Sequence, residues 1–118
     1  MAGPYPSDGD VIVRRGEVWW VDFDTVDGGE IRKMRPAVVV TADALNRARR
    51  TVVVVPLATG PQPRPPIVVA TPSAGDGRVA VCDQARAVDK ARLTRTAGQL
   101  SSVDLRAIED GLRRILEL

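Results

Sequence analysis

The chain has 118 residues, 44% of them hydrophobic, and a formal net charge of +2. That length supports one domain with a real core and excludes two. A single cysteine, Cys82, excludes an internal disulfide, and the absence of histidine removes the commonest general base and the commonest metal ligand together.

Residues 1–13 are polar at the start and rich in Pro and Gly, and are expected to form a loose tail; residues 14–118 are expected to form the domain. No signal segment is visible and the longest apolar runs are strand-sized, so the expected location is the cytoplasm. Arg15-Gly16 opens a first strand over 17–23, in which Trp19 and Trp20 point to opposite faces. At least one belongs in the core, and the other is core or a surface on which a base stacks. A polar, glycine-bearing loop fills 24–34. "RPAVVVTA" (35–42) is a second strand, with Pro36 at its start where no interior ladder bond is lost. "DALNRARR" then makes a short helical turn capped by Thr41 or Asp43.

"TVVVVPL" (51–57) is an unbroken apolar run, the pattern of a strand buried on both faces. "TGPQPRPP" (59–66) holds four prolines in eight residues and must be a stiff exposed loop. "IVVAT" (67–71) is a fourth strand, "SAGDG" a tight turn, and "RVAVCDQARAV" (78–88) a fifth strand in which Cys82 packs. It leads into a Lys/Arg-bearing turn, "DKARLTR". Ser101 or Ser102 caps a last helix whose stripe of Leu105, Ile108, Leu112, Ile115 and Leu116 must dock on the sheet. The expected fold is mainly β with helices, a small barrel or strongly curved sheet of about five strands closed by an amphipathic C-terminal helix.

Charge is placed unevenly. Residues 1–30 carry two arginines against seven acids, whereas 31–95 carry twelve Lys/Arg against four acids. A basic middle suits a polyanionic partner such as nucleic acid, or is a solvated arginine-rich surface. No P-loop, GxGxxG or zinc spacing occurs, no carboxylate cluster suggests Mg²⁺, and one cysteine without histidine is a poor nucleophile. Arginine chemistry remains. It suits RNA cleavage, where the 2′-hydroxyl already lies beside its phosphodiester and a guanidinium need only orient the phosphate and stabilise the charge that develops there.

Three blocks in order, "RRGEVWWVDFD…GGE…RPAVVVT", "TVVVVPLATG" and "VAVCDQARAVDKARL", followed by the amphipathic helix, resemble the MazF/PemK family of toxin endoribonucleases over residues 14–118. The resemblance implies an SH3-like (CcdB/PemK-like) barrel, a homodimer, and sequence-selective, metal-independent cleavage of single-stranded RNA (messenger, ribosomal or transfer). The implied products are 2′,3′-cyclic phosphate and 5′-hydroxyl ends. It further implies an acidic antitoxin that competes with RNA, and no cofactor. The family's catalytic arginine falls on Arg35. Its loop glycine and acid fall on Gly28 and Glu30, beside the basic Arg32 and Lys33, and its acid-Gln pair falls on Asp83 and Gln84. Arg86 is expected on the same face as Gln84 if the strand persists.

One position departs from the family. Its Thr or Ser after the third strand falls on Ala58, with Thr59 next. Thr59 takes over through a shifted turn, or the enzyme is weakened, or the alanine is an inactivating substitution. Two other classes stand beside this one. A gyrase poison of the CcdB type resembles a protein ending Trp-Gly-Ile, whereas this chain ends "RRILEL". A non-catalytic SH3-like RNA- or peptide-binding module needs no hydroxyl at position 58.

Overall fold

A computed structural model describes residues 11–23 and 34–118. Three valine-rich segments form its centre: β1 (Glu17–Asp22), β2 (Met34–Val39) and β3 (Thr51–Thr59). Successive strand side chains point to opposite faces, and here both faces are buried. Trp19, Val21, Ala37, Val39, Val52 and Val54 join one cluster with Val13, Val88 and Leu93. Val18, Val38, Val55 and Leu57 join the other with Val69, Ala80, Cys82, Leu100 and Ile108. Each such valine contributes about 1.5–3 kcal/mol when withdrawn from water. Val13 is buried and Val11 packs against the first cluster, so the core begins within the stretch expected to be tail.

The remaining strands are β4 (Val68–Ala70), β5 (Arg78–Val81), β6 (Arg86–Asp89) and β7 (Leu93–Gln99). All pairings between strands are antiparallel. The order is β4-β5-β3-β2-β1-β7, with β6 also on β3. Strand β3 is therefore shared: residues 51–54 pair with β6, and residues 57–59 pair with β5.

Two expectations change here. The single strand over 78–88 is β5 and β6, separated by a 3-10 turn at Cys82–Gln84. The break falls beside Pro56, which has no N–H to offer a neighbour. The Lys/Arg-bearing turn expected at 89–95 shrinks to a 3-10 turn at Lys90–Arg92, and the chain continues as β7 on the edge of β1. Among the described residues there are thus seven strand segments where about five were expected.

The first helix, α1 (Asp43–Ala48), lacks the expected side-chain cap. Thr41 instead bonds β3, its hydroxyl donating to the Val53 carbonyl. Asp43 accepts from the Arg15 backbone N–H at 2.7 Å, the largest of the interactions that hold its carboxyl below the usual range.

The C-terminal helix, α2 (Ser102–Leu116), is capped by Ser101, whose hydroxyl accepts from the Asp104 N–H at 3.1 Å. Asp104, buried in the first turn, accepts from the N–H of Ser73 at 2.8 Å and from its hydroxyl. Farther along, Glu109 pairs with Arg15, and Ile108 is fully buried. Leu105, Leu112 and Ile115 pack on the second cluster, while Leu116 stays 59% exposed and leaves the expected docking stripe.

The helix sits close because of Gly111. A Cβ there would lie 2.8 Å from the Pro66 carbonyl oxygen and 3.2 Å from Cys82 Sγ. Alanine is the better helix former by about 0.8–1.0 kcal/mol, yet Gly111→Ala is expected to lower stability by about 1–3 kcal/mol through overpacking. Urea unfolding checks this, and a variant as stable as the parent contradicts the close seat.

Candidate active site

Strand β2 pairs with β3 through Ala37–Pro56, Val38–Val55 and Val39–Val54. Two residues farther toward the open end, this register sets Arg35 across from Ala58. Pro36 is buried and opposite Trp20 of β1, so Arg35 projects from an anchored strand while remaining exposed itself. Arg35, Pro36, Leu57, Ala58, Thr59 and Arg78 line one open cleft of about 260 Å³. No acid is among them. Among the described residues, neither Arg35 nor Arg78 has a hydrogen-bonding or ion-pairing side chain as partner.

Strand β3 stays paired with β5 through Thr59, and the chain turns only at Gly60, whose φ is +111°. No turn begins at Leu57. Strand alternation therefore puts Ala58 on the face of Arg35 and Thr59 on the opposite face, although both reach the cleft. A methyl group stands where the resemblance led to the expectation of a hydroxyl.

The other expected residues lie elsewhere. Asp83 and Gln84 are exposed on the 3-10 turn beside Pro56 and do not line the cleft. Because the strand breaks there, Gln84 and Arg86 do not share a strand face. Arg86 stands on β6 opposite Val54, its guanidinium 5.4 Å from the centroid of the Phe23 ring. Gly28, Glu30, Arg32 and Lys33 lie outside the described residues. Trp19 is buried, and Trp20 is half-buried with the Arg95 guanidinium 5.2 Å over its ring, so the face considered for base stacking already carries a cation.

Arg78 was not singled out from the sequence. Its signal is the antiparallel register of "PLAT" with "RVA", which pairs Thr59 with Arg78 and Leu57 with Ala80. A larger hollow of about 550 Å³ lies between the N-terminal segment and α1, lined by residues that include Arg14, Asn46 and Lys90, and it shares no residue with the Arg35 cleft. Among the described residues no group of three or more Cys, Asp or Glu is placed to hold a metal ion, and no helix is long and apolar enough to cross a membrane.

Residues 14–116 match the family described as PemK-like, MazF-like toxin of type II toxin-antitoxin system. Endoribonuclease MazF9 of Mycobacterium tuberculosis is 32% identical over 116 residues, covering 91% of this chain and 98% of that protein. Endoribonuclease PemK of Escherichia coli is 39% identical over 85 residues, covering 68% of this chain and 64% of that one. Among solved structures, an endoribonuclease from a mycobacterial species has a TM-score of 0.76 at 25% identity, covering 92% of this chain and 94% of its own. The MazF fold recurs in a MazE-MazF crystal structure from Deinococcus radiodurans, with a TM-score of 0.78 at 21% identity over 92% of this chain and 99% of that one. The class is that of a toxin endoribonuclease. This chain belongs to the PemK/MazF toxin family.

Cys82 takes no part in the cleft. It is buried beside α2, and burial, reinforced by the negative charge of Asp83, pushes its thiol up to about 11. At pH 8 only about one thiol in a thousand is then ionised. Labelling with a thiol-specific disulfide reagent at pH 8 is expected to be negligible in the folded protein and complete in denaturant. Rapid labelling of the folded protein contradicts the burial.

Proposed function

We propose that this endoribonuclease cuts single-stranded RNA by driving the 2′-hydroxyl onto its own phosphodiester, with Arg35 as the residue that grips the phosphate. The observation carrying this reading is the cleft, with no acid among its described lining residues, in which Arg35 stands across from Ala58. A 2′-oxygen-to-phosphorus bond forms and the bond to the 5′-oxygen breaks. The 2′-proton leaves to solvent, water protonates the departing oxygen, and the products are a 2′,3′-cyclic phosphate and a 5′-hydroxyl. The guanidinium fork orients the phosphate and meets the negative charge that grows on its oxygens.

The supporting shell is rigid. Pro36 restricts the backbone of Arg35 to extended geometry and is itself buried, so the guanidinium is presented by an anchored strand. The segment carrying Gly28, Glu30, Arg32 and Lys33, together with Asp83, Gln84 and Arg86, is proposed to hold the flanking nucleotides. Base edges and stacked bases are the usual handles for recognising single strands. The protein is further proposed to act in the cytoplasm as a homodimer, since one small barrel offers little concave surface. A cognate antitoxin with an acidic segment would compete with RNA for the basic surface.

The alternative is a module that binds RNA or peptide without cutting, and the methyl group of Ala58 is what favours it. One experiment separates them: incubate the protein with a single-stranded RNA pool, with and without EDTA, and map the ends. Site-specific cuts that persist in EDTA are expected. Arg35→Ala is expected to retain the parent's thermal stability and to lose about 10²–10³-fold in rate, the scale of one preorganised donor. Arg35→Lys is expected to recover only part of it, because a point charge lacks the fork. Binding without cuts, full activity in Arg35→Ala, or loss of activity in EDTA contradicts the proposal.

A further inference from the structure

We infer that Arg78 is a second phosphate-gripping residue, which supplies from β5 the donor that Ala58 cannot supply from β3. This rests on the reading of the Arg35 cleft as the cleavage site. Arg78 and Arg35 line the same cleft of about 260 Å³, with no acid among the described residues of its wall. Two like charges converging on one cleft repel unless an anion lies between them. A phosphodiester is such an anion, and each guanidinium presents a fork of donors to it.

The placement of Arg78 is built in. It pairs with Thr59 in the β3–β5 ladder, next to the pair of Ala58 with Val79. Its carbonyl accepts from both the N–H and the hydroxyl of Thr71, at 3.0 and 3.1 Å, and Thr71 is fully buried. Its own N–H donates to the Gly75 carbonyl at 3.1 Å. Backbone held on both sides leaves the side chain as the only freedom, which suits a residue that must meet a phosphate in a fixed place. Thr59 is the other polar side chain among the described residues of the wall. Strand alternation turns both it and its partner Arg78 from the Arg35 face, so the short Thr59 hydroxyl does not replace the missing one directly, whereas the long Arg78 side chain extends to the cleft that Arg35 lines.

In the cleavage step Arg78 shares with Arg35 the negative charge that develops on the non-bridging oxygens. Its contribution is therefore to the chemical step more than to binding.

The test begins with a random-sequence single-stranded RNA pool, from which the cut site is mapped and a short oligonucleotide carrying it is made. Single-turnover cleavage of this oligonucleotide is compared with the affinity for the same sequence bearing a 2′-deoxy nucleotide at the cut. Arg78→Gln is expected to lose about 10²-fold in cleavage rate and only about threefold in affinity for the uncleavable analogue. Arg78→Lys, which keeps the charge and secures the test against a folding defect, is expected to fall between. Ala58→Thr is expected to restore at least about tenfold in the Arg78→Gln background and much less in the parent, the non-additivity of two groups serving one phosphate. Equal losses of rate and affinity in Arg78→Gln would assign Arg78 to a flanking phosphate and overturn the inference. So would unchanged cleavage in Arg78→Gln with Arg35→Ala inactive, a result that leaves the cleavage site itself standing. A parent protein that does not cut overturns both.

Discussion

Three residue pairs, Ala37 with Pro56, Val38 with Val55 and Val39 with Val54, fix the register of β2 on β3, and the cleft follows from it. A slip of one residue would carry Arg35 to the opposite face of the sheet, away from Ala58, and bring Pro36 to the cleft face, because side chains alternate with a period of two. Burial on both faces of these strands makes that slip prohibitive. The valine run is thus more than a core. It is the device that aims an arginine.

Strand β3 carries a second consequence. Its partners change from β6 to β5 across Pro56, so its last three residues run beside a different strand from its first four. That change brings Arg78 alongside Thr59 and carries Asp83 and Gln84 onto a turn of their own. Helix α2 secures this arrangement from behind, with Ile108 buried in the second cluster and Gly111 against Pro66 and Cys82. The thiol fills space, and the groups proposed to grip the phosphate are guanidiniums.

Much of this was legible. The apolar runs marked β1 to β3, and the 3.6-residue spacing with Ser101 ahead of it marked α2. The Arg-Pro step marked the mouth of the cleft. Strand β7 was not legible, because "LTRTAGQ" buries only Leu93 and shows the composition of a turn; an edge strand with exposed side chains leaves no alternation to find. The break in "RVAVCDQARAV" was hidden for the opposite reason: its apolar residues continue through a turn where Cys82 packs inward. Arg78 became visible only with the β3–β5 register, a relation between segments about twenty residues apart that no local pattern encodes.

The proposed chemistry assigns the nucleophile to the RNA and leaves the protein to position the phosphate and stabilise its charge. The most direct measurement removes that nucleophile. A single 2′-deoxy nucleotide placed immediately 5′ of the cleaved bond should abolish cutting at that site while the oligonucleotide still binds. Cleavage of the 2′-deoxy bond at the rate of the all-ribose one would mean that water or a protein group attacks the phosphorus, and would contradict the account.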